Sequence, residues 1–377
     1  MISCGEPSGD LYAGALVREL RQQAPGTRVF GLGGARLREA GGELVGDFRP
    51  LSVTGLTEAL KVLPHSYAMY RRLVTAARER RPDVLVAIDF PDFNFRLAAA
   101  VRRLGIPIVY YISPQLWAWR SGRMKTMKRL VDRVLVIFPF EEELYRREGM
   151  DVQFVGHPLV ELVVPTGPRD VFLRGLGLDP SAPIVALLPG SRANELHRIL
   201  PTLAQAVPLI AARVPGAQFV VAGAPNLAPR QYSALALAAP VAPVLVHART
   251  DDVLDAADVV VTASGTATVQ AALHGKPMVI VYRVSPLSYR LGKPFVRVST
   301  YGMVNLIAGR RIVPELIQDD FTPTSVAQEA VRLLTDRRLA EETRVALVEV
   351  KSRLGGPGAS ARAAAAILDV AGRAQVT

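Results

Sequence analysis

Two aspartates stand where a buried strand should end. In "DVLVAIDFPDFNFRL", residues 83–97, Val84 to Ile88 form a short apolar run that predicts a fully buried strand, and Asp89 and Asp92 follow it directly. Aspartate is depleted in strands and costly to bury unpaired, so carboxylates at a strand's carboxyl end are candidates for acting on a ligand. Three strand-to-helix turns carry groups suited to anions. "ALLPGSRANELHRIL" places Pro189, Gly190 and Ser191 before a helix that starts near Arg192, and "VVVTASGTATVQAALHG" does the same with Ser264, Gly265 and Thr266. Free N–H groups and the positive end of a helix dipole favour phosphate at such turns, and glycine lets the backbone approach it. Two such turns in the same domain, one with an arginine, suit a diphosphate. Glycine and serine serve equally as plain turns and caps, so each turn alone is a weak signal. The third turn, "CGEPSGDLYAGALVREL", holds Glu6, Ser8, Gly9 and Asp10. Asp10 reads as a helix cap or as a substrate contact; Glu6 is harder to explain as a cap and is expected to face a substrate.

The elements that must position these groups alternate along the chain. "TRVFGLGG", "DVLVAIDF", "IPIVYYIS", "DRVLVIF" and "VQFVGHP" read as short buried strands with helices between them. After a Pro/Gly break at "VVPTGPR", residues 163–169, a second series begins: "PIVALLPGSR", "AQFVVAG", "PVLVHAR", "ADVVVTASG" and "KPMVIVYRV". Apolar runs alternating with helices argue for parallel sheets covered on both faces. The expected fold is α/β, with two doubly wound Rossmann-like domains facing a cleft and ligands outside the carboxyl ends of the strands. The boundaries fall at 1–164, 165–345 and a helical tail 346–377 that crosses back to the first domain or to a partner chain.

The chain has 377 residues, half of them hydrophobic, which is ample for two packed cores. No window approaches ~18 consecutive apolar residues, so no transmembrane helix is expected, and "MISCGEPSGD" does not read as a signal peptide. The single cysteine, Cys4, excludes an internal disulfide framework and fits a reducing compartment. No paired histidine or cysteine spacing suggests a metal site, and the chain has no D-x-D triplet. A formal charge of +11 points to a polyanionic partner. The basic residues gather in "YRRLVTAARERR" (70–81) and "WRSGRMKTMKRLVDR" (119–133), read as helices with a solvated or membrane-facing side. Met124, Met127, Leu130 and Val131 form the apolar side of the second. No nucleic-acid-binding signature is present. Residues 54–73 suit a lipid surface, with Leu56, Leu60, Leu63, Tyr67 and Met69 beside Lys61, Arg71 and Arg72; packing inside the domain is the alternative.

The series "GEPSGD", "GLGG", "IDFPDFN", "YYISPQLWAWR", "FPFEEELY", "FVGHPL", "LLPGSR", "ASGTAT", "PMVIVYRV" and "NLIAGRRIVPELIQ" resembles, in order, the lipid-A-disaccharide synthases, from about residue 3 to residue 325. The resemblance implies a GT-B glycosyltransferase fold and an inverting, metal-independent transfer without a cofactor. The expected reaction joins UDP-2,3-diacylglucosamine to 2,3-diacylglucosamine 1-phosphate, forming a β-1′,6-linked disaccharide and releasing UDP. It also implies a homodimer with exchanged carboxyl-terminal regions, peripheral at the cytoplasmic face of the inner membrane. By the same resemblance Asp89 is the general base, with Asp92 orienting it or capping the next helix; a merely capped turn is the alternative. Arg192 would meet the diphosphate, Ser264, Gly265 and Thr266 the second phosphate turn, and Asn305 and Gln318 the nucleotide side. Glu6 and Ser8 would face substrate. His157, in "VGHP", reads as a loop-stabilising residue.

Two departures stand out. Gln270 occupies the position where glutamate is expected to hold the ribose hydroxyls, which removes a charge-assisted hydrogen bond. Only "MISC" precedes "GEPSGD", where the family has a longer first strand. The competing readings are another UDP-sugar enzyme of this fold, such as an epimerase or a transferase with a different acceptor, and a homologue that binds without turnover. The apolar, basic surroundings of "YYISPQLWAWR" favour a lipid acceptor.

Overall fold

The computed structural model describes residues 1–49, 56–114, 123–285 and 300–376, with side chains at all of these except 56–62 and 374–376. The chain forms two compact units, one of residues 1–158 with 354–377 and one largely of 159–353.

The first unit runs β1 (Ile2–Cys4), α1 (Pro7–Gln23), β2 (Phe30–Gly33), α2 (Ala35–Glu39), β3 (Glu43–Asp47) and α3 (Leu56–Arg80). It continues with β4 (Leu85–Ile88), α4 (Pro91–Arg102), β5 (Ile108–Tyr111), α5 (Arg123–Leu130), β6 (Arg133–Val136), α6 (Pro139–Arg147) and β7 (Val152–Phe154). The strands form one parallel sheet in the order β3-β2-β1-β4-β5-β6-β7. Consecutive strands therefore wind outward in both directions from β1, and the order reverses between β1 and β4. The central strands β1, β4 and β5 are buried along their whole length, as expected of strands covered on both faces. Although β1 has only three residues, it pairs with both β2 and β4.

The basic helices show how charge and core are separated. In α3, Leu73 and Ala77 are fully buried, while Arg71 and Arg72 face solvent. Arg80, near its end, pairs with Glu43 at 2.7 Å and stacks 4.9 Å from the Phe30 ring. In α5, Met127 and Leu130 enter the core while Lys125, Lys128 and Arg129 stay outside.

The second unit runs α7 (Leu159–Leu162), α8 (Arg169–Gly175), β8 (Ile184–Leu188), α9 (Ala193–Arg213), β9 (Gln218–Gly223), β10 (Val244–His247), α10 (Thr250–Ala256), β11 (Val259–Ala263), α11 (Thr266–Leu273), β12 (Met278–Tyr282) and β13 (Glu315–Ile317). Helices Met303–Ala308, Pro323–Thr335 and Arg337–Arg353 complete it. Its parallel sheet has the order β10-β9-β8-β11-β12-β13, reversing between β8 and β11.

The units divide a few residues away from the expected 164/165 and 345/346 boundaries. Leu159 is fully buried and α7 packs against α11, so the chain joins the second unit before its Pro/Gly run. The helix Arg337–Arg353 is continuous and buries Ala346, Leu347 and Val350, so the division comes at "LGGPG" instead. Beyond it, the helix Ala359–Val376 packs on α1 of the same chain through small side chains such as Ala363 and Ala364. Gln23 donates to the Ala361 carbonyl at 2.9 Å, and Arg133 pairs with Asp369 at 2.8 Å. Among the described residues, no helix is long and apolar enough to cross a membrane.

Candidate active site

Both sets of motifs sit where their sheet reverses strand order, the place where open α/β sheets bind ligands. In the first unit, Cys4 pairs with Ile88 in register, so Gly5 and Asp89 leave the sheet side by side. The two turns interlock. A Cβ at Gly5 would lie 2.1 Å from Phe90 Cδ1, so only glycine leaves room for that ring.

Asp89 and Phe90 are consecutive non-glycine residues in the left-handed region, with φ of 44° and 50°. Each such residue costs of order 1–3 kcal/mol, a cost that persists where surrounding structure enforces it and that concentrates at functional sites. The enforcement is visible here. The Asp89 N–H donates to the carbonyls of Tyr111 and Ile112, both at 3.3 Å. Its own carbonyl accepts from Asn94 Nδ2 at 2.7 Å and from the Tyr110 hydroxyl at 2.8 Å. Asp89 remains half-buried, at the lip of the sheet. Asp92 lies in the first turn of α4, where the dipole favours a carboxylate, and forms an ion pair with Arg123.

Glu6 is the N-cap residue of α1, in an extended backbone with Pro7 next, and it is half-buried, as is Ser8. Asp10 does cap a helix, but the neighbouring one. Its carboxylate accepts from the N–H groups of Gly34, Arg36 and Leu37 at 2.7, 2.9 and 3.1 Å, closing the start of α2. The Cys4 thiol donates to the Leu32 carbonyl at 3.4 Å; burial, aided by Asp10, raises its pKa well above the usual thiol range, so it stays protonated. His157 packs edge-on to Tyr12 and against Phe138, with ring centroids at 6.0 and 5.5 Å. Burial lowers its pKa to about 3, which keeps the imidazole neutral and suits a packing role.

In the second unit, Leu188 pairs with Thr262, so the turns after β8 and β11 emerge as neighbours. Arg192 is the N-cap residue of α9, and its Nη1 donates to Glu195 Oε1 at 2.8 Å. Glu195 Oε2 accepts from the Ser191 N–H at 3.3 Å, and a Cβ on Gly190 would lie 2.7 Å from that oxygen. A cation, a glycine with φ of 115° and helix N–H groups thus converge at the end of a 21-residue helix. Gly265 caps α11 with φ of 152°, and Thr266 opens the helix. Ser264 Oγ donates to the Tyr301 carbonyl at 3.2 Å.

Two expected contact residues are engaged by the protein's own backbone, and a third has gained a carboxylate neighbour. Asn305 is buried and its amide is fully committed. Nδ2 donates to the Val313 carbonyl and Glu315 Oε1 at 3.0 and 2.8 Å; Oδ1 accepts from the N–H groups of Ile312 and Val313 at 2.8 and 3.1 Å. Against the expected direct nucleotide contact, all four hydrogen-bonding positions of the side chain are engaged within the protein. Its partner Glu315 also accepts from the N–H groups of Tyr301 and Gly302 at 2.8 and 2.9 Å. Tyr301 in turn holds Ser264. Gln318, with φ of 55°, uses its amide as a surrogate strand: Oε1 accepts from the Val284 N–H at 2.7 Å and Nε2 donates to its carbonyl at 3.3 Å. Gln270 donates to Asp251 Oδ1 at 3.2 Å. Asp251 therefore puts a carboxylate beside the residue that lacks one.

Asn94, Glu195, Asp251 and Glu315 are hydrogen-bond partners of the candidate residues that the sequence did not single out, although three lie inside quoted motif stretches. Among the described residues, no group of three or more His, Cys, Asp or Glu is placed to hold a metal ion.

A family model described as lipid-A-disaccharide synthetase matches residues 1–368. The chain belongs to the lipid-A-disaccharide synthase family. A synthase of this family from Myxococcus xanthus is 44% identical over 370 residues, covering 98% of this chain and 97% of that protein. One from Anaeromyxobacter dehalogenans is 46% identical over 373 residues, with the same coverage. Solved structures are more distant and bear on the fold alone. A UDP-GlcNAc 2-epimerase from Neisseria meningitidis, bound to UDP-GlcNAc, aligns with a TM-score of 0.68 at 12% identity over 98% of both chains. A calicheamicin glycosyltransferase aligns with a TM-score of 0.60 at 20% identity over 99% of this chain and 97% of that one. This member of the synthase family is thus a glycosyltransferase with the GT-B type of α/β fold.

Proposed function

We propose that the chain transfers 2,3-diacylglucosamine from UDP-2,3-diacylglucosamine to 2,3-diacylglucosamine 1-phosphate, forming the β-1′,6 linkage and releasing UDP. The observation that carries the reading is the enforced left-handed turn presenting Asp89, inside a chain whose family is a disaccharide synthase. Asp89 accepts the proton of the acceptor's 6-hydroxyl as that oxygen attacks the anomeric carbon. The bond to the diphosphate oxygen breaks with inversion, and the electron pair leaves with UDP. Arg192 and the starts of α9 and α11 face the growing negative charge, so the reading requires neither metal nor cofactor. Ser264, Gly265 and Thr266 hold the second phosphate turn, Gln270 with Asp251 meets the ribose hydroxyls, and Glu6 and Ser8 contact the acceptor. The test is UDP release from the purified protein with each acyl-sugar alone and with both. Release only with both supports the transfer; equal release from the UDP-sugar alone overturns it.

The acceptor is collected at an anionic bilayer surface, as a peripheral enzyme at the cytoplasmic face of the inner membrane would do. Leu63 and Tyr67, four residues apart on α3, are 51% and 61% exposed, and Tyr67 stacks on Tyr70 at 6.3 Å beside exposed Arg71 and Arg72. Met69 leaves the expected patch: its sulfur sits 1.9 Å from where a Gly46 Cβ would be, so it packs inward. The side chains of Leu56, Leu60 and Lys61 lie outside the described residues. Each Lys or Arg near an anionic surface is worth ~1 kcal/mol and is screened by salt. Binding to anionic vesicles should therefore weaken as salt rises, and Leu63→Asp should reduce it without lowering Tm. Indifference to lipid charge at every salt concentration would assign this face to another role.

A further inference from the structure

We propose that Asn94 and Tyr110 are positioning residues for the transfer, holding Asp89 in the backbone conformation from which its carboxylate acts; this rests on Asp89 being the base. Both side chains are fully buried, and each directs a donor at one atom, the Asp89 carbonyl oxygen, at 2.7 and 2.8 Å. Two donors on the carbonyl of a left-handed residue fix the peptide plane that follows it, and hence the direction of its Cβ. Asn94 is itself oriented by the first strand. Ser3 Oγ donates to Asn94 Oδ1 at 2.6 Å, and Asn94 Nδ2 lies 3.2 Å from the Ser3 carbonyl and 3.3 Å from the Ile88 carbonyl. The amide thus ties β1, the end of β4 and the Asp89 turn into one rigid corner.

Tyr110 approaches from β5, the neighbour of β4 on the other side. Its ring packs on Phe95 with centroids 5.7 Å apart, so the hydroxyl is aimed by the core. Neither side chain is exposed to substrate, which distinguishes them from groups that touch the reacting atoms. Ordinary core cohesion would account for buried polar residues with scattered partners. It does not account for convergence from two elements on the carbonyl of the one strained carboxylate residue at the switch point.

The experiment is steady-state kinetics of full-length Tyr110→Phe and Asn94→Ala, each alone and combined with Asp89→Asn, with UDP affinity and Tm measured alongside. Displacing a reacting group by about 1 Å can cost on the order of 10²-fold. Tyr110→Phe is expected to lower kcat by about 10-fold and Asn94→Ala by up to about 100-fold, with the UDP Kd unchanged. In the Asp89→Asn background neither should lower kcat further, because there is no base left to misplace. Equal fold-losses in both backgrounds would make the two residues merely structural and overturn the proposal. So would unchanged kcat in both folded single variants. Near-normal turnover of Asp89→Asn alone would instead remove the base reading, and this inference with it. Should Asn94→Ala fail to fold, Tyr110→Phe, which deletes one oxygen, decides.

Discussion

Asp89→Asn is expected to lower kcat by about 10²–10⁴-fold while leaving UDP-sugar binding nearly unchanged. The amide preserves the shape of the side chain and leaves the backbone clamp untouched, because that clamp grips the N–H and the carbonyl of Asp89. What is lost is the capacity to accept the proton of the attacking hydroxyl. The substituted protein should therefore fold with an unchanged Tm and bind UDP as before. Steady-state turnover with both acyl-sugars, set beside a UDP titration, checks the split. A folded Asp89→Asn protein that turns over at nearly the native rate would show that the left-handed turn serves something other than proton transfer.

Arg192→Ala should weaken UDP binding and slow turnover together. A hydrogen bond to a charged group contributes about 1.5–3 kcal/mol, so the UDP Kd is expected to rise by about 10- to 100-fold. The kcat loss adds to this, since negative charge on the diphosphate grows as the glycosidic bond breaks. The substitution also removes the 2.8 Å partner of Glu195, leaving that carboxylate at the start of α9 without the neighbouring guanidinium. Repulsion of an incoming anion should therefore deepen the defect. Arg192→Lys keeps the charge but loses the planar fork and should fall between the two. Calorimetric titration with UDP measures the first effect and single-turnover rates the second. An unchanged Kd in the alanine variant would assign the Arg192–Glu195 pair to helix capping.

Residue order was enough to establish the two doubly wound units, because buried parallel strands read as continuous apolar runs and their helices as periodic ones. It also placed the candidate site motifs at the carboxyl ends of β1, β4, β8 and β11. A turn there that carries glycine, hydroxyls or carboxylates brings backbone N–H groups and polar side chains to a ligand at the sheet's edge. The family was legible from ten short motifs in order. Packing in three dimensions decided which polar side chains are engaged by the protein's own backbone and which are left at the ends of the strands. Asn305 and Gln318 sit in motif stretches as plausible as that of Arg192, yet their amides are consumed by backbone 7 to 34 residues away in sequence, a pairing no local pattern encodes. Asp10 caps α2 rather than its own helix for the same reason. The division of the units moved off the Pro/Gly run because burial of Leu159, not loop composition, sets where the chain changes core. The strain at Asp89 was invisible too: left-handed backbone at an aspartate and a phenylalanine has no signature in residue type. It exists only because donors from α4 and β5 and the space above Gly5 meet at one point, and that convergence is a property of the packed sheet.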